Sequence, residues 1–523
     1  MLNDAGRDMA EAAVRGGMFA PLRHGTYRLL WIGQSSHAFA LWMEQIARPF
    51  LVLAIGYGAA EVGIALAWRT VPQLVFGLFA GVISDWFDRR TILIVTKVNV
   101  LILSIAFAAL LISGRLELWH VYAFQFLRGT LMAFEQPARQ SMIAQILPPQ
   151  QVVGGVALMS ATQNVMRIVG SAVGGVAIEV IGINNTFVLL AVVYIGAVVT
   201  TLMLRVATHE RPTDTSARAV IPALIEGARY AWGHTTIRAI LLMSFVYFTF
   251  GMSYTQVFVP LFAEDVMGIG AGGAGLMVSL TGVGALVSAL VVASKQPKRV
   301  GLALPLIVWT FGAMLVAFAV TSYLPRPFGL IIPFIFITLT GATQTMFFSL
   351  SNAAMLSSAP AEMRGRIISL LSLDRGVMSL GGMGAGFLAE VQGVQIAQIV
   401  YGGICVVGGL GIAILYKELR TMEIDPNAFE PGQGHGGRRG GGMIAPATSG
   451  QIARSPVLGR ASAYIPVLTT VPSSRDTATA SRGATKSAAT GTKKSPKPKP
   501  SPDWIIVPRR AISGSMAIPI GGA

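Results

Sequence analysis

PQQVVGGVALMSATQNVMRIVGSAVGGVAIEVIG, starting at residue 149, and PAEMRGRIISLLSLDRGVMSLGGMGAGFLAEVQG, starting at residue 360, align without a gap at a constant offset of 211. Pro149/Pro360, Gly154/Gly365, Gly170/Gly381, Gly175/Gly386, Glu179/Glu390, Val180/Val391 and Gly182/Gly393 are identical. Both copies are long apolar stretches studded with glycine. Apolar length is the signature of a membrane helix, and glycine removes the bulk that keeps two such helices apart. A match in position, length and register points to a duplicated chain with two halves of the same orientation. Repeats of that kind place a binding site between the halves.

The whole chain fits this reading. Only 12% of the 523 residues are charged and 53% are hydrophobic, against about 25% charged in soluble domains. Mean hydropathy is +0.62. Apolar spans run near 28–55, 60–83, 91–112, 117–136, 152–181 and 184–204, then 238–262, 272–294, 301–322, 328–356, 366–390 and 394–416. Each is long enough for roughly 20 residues of membrane helix, and the period-two segments of an outer-membrane barrel are absent. Basic residues collect in alternate loops: Arg89 and Arg90, Arg139, Lys295, Lys298 and Arg299, Arg364 and Arg366. The opposite loops hold little beyond Arg115 and Arg326. The positive-inside rule puts both termini and the 206–237 linker in the cytoplasm. The expected organisation is an N-terminal segment 1–27, a six-helix bundle 28–205, the linker, a second bundle 238–417 and a basic tail 418–523. The chemistry of an enzyme is not visible. Six scattered histidines and one cysteine offer no metal spacing and no disulfide, and no nucleotide motif is present. GIGAGGAG (268–275) opens a membrane helix without a preceding strand or a Walker lysine. No cleaved signal peptide is evident at the start of the chain.

Between the second and third spans stands GVISDWFDRR, residues 81–90. Gly81, Asp85, Arg89 and Arg90 match the G-x3-D-x2-G-R-K/R loop of the major facilitator superfamily, with Asp88 where the general pattern has glycine. The chain resembles this superfamily over about 1–420, and the DxFDRR form is similar to the branch of enterobactin exporters and multidrug or macrolide efflux proteins. PLRHGTYRLLWIGQ (21–34), FEQPARQSMIAQILP (134–148) and LIEGARYAW (224–232) point the same way. The resemblance implies an all-α integral membrane protein of 12 transmembrane helices in two pseudo-repeats. It implies proton-coupled efflux by alternating access in a bacterial inner membrane, with no cofactor beyond the proton gradient. In the resembled fold, Asp85 meets the start of the eleventh helix, here PAEMRGR, so Arg364 and Arg366 strengthen a cytoplasmic latch. GSAVGG (170–175) resembles the helix-five antiporter motif with Ser171 in place of proline. Gly170, Gly174 and Gly175, with Gly381 and Gly386 of the second copy, are expected to pack helices closely.

Charges interrupt the spans at Glu44, Arg48, Arg69, Arg128, Glu135, Arg167, Asp374 and Arg375. An ionised group at mid-bilayer costs about 2.5–3.5 kcal/mol on insertion scales, so it faces water or a partner. In the resembled fold, helices one, four, five and eleven line the cavity. Glu44, Arg48, Arg128, Arg167, Asp374 and Arg375 are therefore the candidate substrate and coupling residues, Glu44 the first proton carrier and Asp374 the second. Glu44 and Arg48 are spaced four apart, as are Glu135 and Arg139. Each spacing suits either a structural pair or a functional one. Five arginines against three carboxylates favour an anionic or oxygen-rich substrate, and Phe39, Trp42, Phe50, Trp68, Phe248, Phe250 and Tyr254 leave amphipathic drugs open. Lys97 is expected to snorkel to the cytoplasmic interface, and His37 to be a satisfied buried histidine. The tail from 421 holds 13 Lys and Arg against five acids. Its Gly, Ser and Pro content predicts disorder, with anionic lipid as its partner rather than nucleic acid. The expected partners are then a small-molecule substrate and the bilayer, for a monomer. The competing class is a receptor or scaffold that acts through the tail.

Overall fold

The computed structural model describes residues 19–206, 220–295, 300–359 and 363–420. Within these, side chains 78, 81–86, 220–221, 223–224, 293–295, 356 and 364–376 lie outside the description. All regular structure in the described residues is helical. The first half comprises α1 (Gly25–Ala54), α2 (Ala59–Trp86), α3 (Arg89–Ile112), α4 (Leu118–Ile146) and α5 (Pro149–Leu202). A short α6 (Val220–Gly233) leads into α7 (Thr235–Val266), α8 (Gly270–Lys295), α9 (Val300–Thr321), α10 (Phe328–Ser358), α11 (Arg364–Gln392) and α12 (Val394–Leu415). Seven helices among the described residues are long and apolar enough to cross a membrane: α3, α5, α7, α8, α9, α10 and α12. The 30-residue α1 and the 29-residue α4 are long enough but not in that set, because Glu44, Arg48, Arg128 and Glu135 interrupt them.

At 54 residues, α5 would be about 81 Å long if straight, far beyond a hydrocarbon core of about 30 Å. Gly182 breaks it at φ 79° and ψ 164°, a backbone region open essentially only to glycine. The contacts with α1 show that the chain reverses there. In the arm 149–181, Gly155, Gly170 and Gly174 meet Tyr27, Phe39 and Met43 in turn, so this arm runs parallel to α1. In the arm 183–202, Gly196 and Thr200 meet Ser36 and Gly33, so this one runs antiparallel. Gly393, the repeat counterpart of Gly182, adopts φ 88° and ψ 155° between α11 and α12.

The duplication extends to packing. A Cβ on Gly170 would strike the Phe39 carbonyl of α1, and one on Gly381 the Thr249 carbonyl of α7. Likewise Gly175 lies against the Ala271 carbonyl of α8, and Gly386 against the Ala59 carbonyl of α2. Glu179 accepts from the Gly272 N–H at 2.8 Å, and Glu390 from the Ala60 N–H at 2.8 Å. Each carboxylate caps the first turn of a helix in the opposite half, where unpaired N–H groups and the helix dipole favour an anion. The glycines of GIGAGGAG serve this approach, since side chains at Gly270 or Gly272 would meet the Glu179 carboxylate. The two halves are thus joined by exchanged helix pairs, α5 with α8 and α11 with α2.

Candidate functional site

Glu44, 1% exposed, is the centre of a buried charge cluster in the first half. Arg128 of α4 donates to its Oε2 from Nη2 at 2.9 Å and from Nε at 3.2 Å. Arg69 of α2 brings Nη1 to 3.5 Å from Oε1. The Tyr194 hydroxyl donates to Glu44 at 3.3 Å and accepts from Arg128. Arg48, four residues on from Glu44, is not its ion-pair partner. It turns instead to α7, where Nη2 donates to Gln256 Oε1 at 2.7 Å. With the Gln125 amide oxygen oriented toward it, Arg48 also donates from Nη1 at 2.6 Å and from Nε at 3.1 Å. The reason is energetic. An exposed pair within one helix is worth about 0.2–0.5 kcal/mol, whereas a buried carboxylate needs several well-placed donors to offset its desolvation.

A second cluster lies seven residues away on both helices, about 10.5 Å along each axis. Glu135 of α4 brings Oε2 to 3.4 Å from His37 Nε2 of α1, and Oε1 to 3.6 Å from Lys97 Nζ of α3. Arg139 forms no ion pair with Glu135. Lys97 does not snorkel; it is 3% exposed and points inward to the carboxylate. His37 packs edge-on to Tyr194 at 5.6 Å, so the tyrosine touches both clusters.

Arg167 of α5 reaches across to the other half. Its Nη1 donates to Gln344 Oε1 of α10 at 2.9 Å and its Nη2 to the Thr281 carbonyl of α8 at 3.2 Å. Its guanidinium lies 5.8 Å from the Trp42 ring. Among the loop residues, Asp88 caps α3, accepting from the Thr91 N–H at 3.0 Å. This explains a carboxylate where the family pattern has glycine. Arg89 donates to the Ser141 carbonyl at 3.3 Å, and Arg90 to the carbonyls of Leu204 and Leu202 at 2.6 and 3.0 Å. The two arginines thereby satisfy carbonyls near the ends of α4 and α5. The side chains of Asp85, Arg364, Arg366, Asp374 and Arg375, and the surroundings of Gly81, lie outside the described residues.

Arg69, Tyr194, Gln125, Gln256 and Gln344 complete these clusters without having been singled out from the sequence as site residues. The usable signal was the spacing of seven shared by His37 and Glu44 on α1 and by Arg128 and Glu135 on α4. Among the described residues, no three His, Cys, Asp or Glu side chains gather as a metal site.

A family profile described as transmembrane secretion effector matches residues 16–433. The staphyloferrin A transporter of Staphylococcus aureus is 25% identical over 360 residues, covering 68% of this chain and 87% of its own. The multidrug efflux pump Tap of Mycolicibacterium fortuitum is 26% identical over 389 residues, covering 72% and 92%. Macrolide efflux protein A of Streptococcus pyogenes is 25% identical over 243 residues, covering 45% and 58%. Among solved structures, a POT family transporter in complex with 5-aminolevulinic acid superposes with a TM-score of 0.62 at 12% identity, covering 75% of this chain and 96% of that one. The nucleoside transporter NupG gives a TM-score of 0.62 at 13% identity, covering 75% and 100%. These structural likenesses concern the fold.

Proposed function

Since the chain belongs to the transmembrane secretion effector family of the major facilitator superfamily, and is thus a multi-pass membrane transporter, we propose that it exports a small organic molecule in exchange for protons. The observation that carries this reading is Glu44, a carboxylate buried among Arg69, Arg128 and Tyr194 on three helices other than its own. A proton on Glu44 removes the charge that holds both arginines. Protonation and release of α1 from α2 and α4 are then one event, which is what coupling requires. Export, rather than import, is supported by the efflux pumps and the macrolide efflux protein among its relatives.

In this reading the chain crosses a bacterial inner membrane twelve times, with both termini cytoplasmic, the two arms of α5 counting as separate crossings. It works as a monomer by alternating access, is driven by the proton gradient, and its basic tail rests on anionic lipid. The Asp85 loop, with Arg364 and Arg366, closes the cytoplasmic side when the outside is open. Proteoliposomes with an imposed pH gradient test the proposal against a panel of siderophores, macrolides and organic anions. Gradient-dependent flux of at least one compound, lost in Glu44→Gln, is the expected result. Flux that ignores the gradient, or that survives the substitution, would overturn it.

A further inference from the structure

The four buried arginines of α1, α2, α4 and α5 divide into two kinds. Arg69 and Arg128 share Glu44. Arg48 and Arg167, 4% and 8% exposed, form no ion pair among the described residues. Each instead takes a glutamine oxygen from the opposite half, Gln256 for Arg48 and Gln344 for Arg167. A guanidinium cannot shed its proton in a protein, and an amide oxygen carries only part of a charge. Neither guanidinium is therefore paired directly with a carboxylate among the described residues, although Glu44 lies one turn from Arg48 and acts on it through space. The Arg167 Nε and the Trp42 Nε1 beside it are buried donors without a hydrogen-bond partner among the described residues.

We propose that Arg48 and Arg167 form a two-point site for an organic anion bearing at least two carboxylates, with Gln125 and Gln256 holding Arg48, and Gln344 and the Thr281 carbonyl holding Arg167, in its absence. The proposal rests on the transporter reading above and names its substrate class. A carboxylate suits this exchange because it meets a guanidinium through two parallel hydrogen bonds, each stronger than a bond to an amide. The spacing suits a small ligand. Trp42 lies beside Arg167, and Arg48 is six residues further along α1, about 9 Å of helix rise. The placement suits transport as well. The arginines belong to the first half and Gln256 and Gln344 to the second, so a bound anion spans the interface that must rearrange. Arg69 and Arg128 pair with Glu44, so the anion site and the proposed proton site use different arginines.

The test uses the purified full-length protein and two probes of one shape, benzene-1,3,5-tricarboxylate and its uncharged triamide, in isothermal titration calorimetry. The tricarboxylate is expected to bind and the triamide not. Arg48→Gln and Arg167→Gln should each weaken binding at least tenfold. Gln344→Glu places a carboxylate of nearly the same size against Arg167. It should abolish binding while the protein unfolds no earlier than wild type, which separates loss of the site from loss of the fold. Absent tricarboxylate binding, equal binding of the triamide, or affinity unchanged in these variants would overturn the site. Gradient-dependent flux of a macrolide, measured in the same preparations and corrected for protein-free liposomes, bears on the transporter reading alone. If the macrolide moves under the gradient while the tricarboxylate fails to bind, transport stands and the anion site falls.

Discussion

One carboxylate, Glu44, faces two guanidiniums and a phenol, so its loss and the loss of a partner are not independent events. Removing one member of a buried pair costs about 3–5 kcal/mol, because the other is left uncompensated. Arg69 remains near Glu44 in Arg128→Gln, which sets the expected cost of that variant near the lower end, about 3 kcal/mol. Glu44→Gln with Arg128→Gln should cost clearly less than the two single variants summed, measured as thermal unfolding in detergent. Strict additivity would show that the two groups do not act on each other. The sequence displayed Glu44 and Arg128 as charges in apolar spans, but not that they meet. A break in hydropathy says which helix carries a charge and not which face it occupies. For that reason the local spacing of Glu44 to Arg48 suggested a pair that three helices outcompete. Gln256 and Gln344 were less legible still, since an uncharged side chain leaves little mark in a hydropathy pattern.

Glu179 and Glu390 show how the duplication works at the level of helices, because each caps a helix of the opposite half. A carboxylate at a helix N-terminus is worth about 0.3–1 kcal/mol, and up to about 2 in partly buried geometry. Two such caps together amount to roughly a tenfold bias between conformations, since about 1.4 kcal/mol is a factor of ten. Glu179→Gln with Glu390→Gln should therefore open the face they close, raising thiol labelling of a cysteine placed at residue 60. Cys405, the sole native cysteine, is buried and adds little background. Asp85→Asn should act in the opposite sense and lower that labelling. Equal labelling in all three proteins would deny a gating role both to the two caps and to the proposed Asp85 latch. Gly182→Ala and Gly393→Ala should each cost about 1–3 kcal/mol, because both backbones lie where a side chain is strained, and unfolding temperature reads this directly. The glycines of the repeat were legible as packing positions, and so was the boundary near 182. What the alignment did not reveal was that Glu179 and Glu390 are partners of α8 and α2, since a repeat reports equivalence and not contact.

For the whole molecule, the proposed direction of transport follows from charge as much as from shape. Each elementary charge moved through 100 mV is worth about 2.3 kcal/mol. A bacterial interior is negative, so an organic anion leaving and a proton entering both run down the potential. Exchanging one proton for one tricarboxylate transfers four charges in the same sense, or about 9 kcal/mol per 100 mV. Duplicated hydropathy made the membrane class and the two halves readable from the sequence. The electrical sign rests on Arg48 and Arg167, whose partners are glutamine oxygens rather than carboxylates among the described residues. It yields a measurement on the intact protein. In proteoliposomes loaded with benzene-1,3,5-tricarboxylate, a valinomycin-clamped potassium gradient that makes the lumen negative should accelerate efflux at constant pH. Reversing the gradient should slow it. Arg167→Gln should lose the flux at either polarity, because the anion no longer binds. Flux that is indifferent to the sign of the potential would show that charge does not cross, and would rule out proton-for-anion exchange.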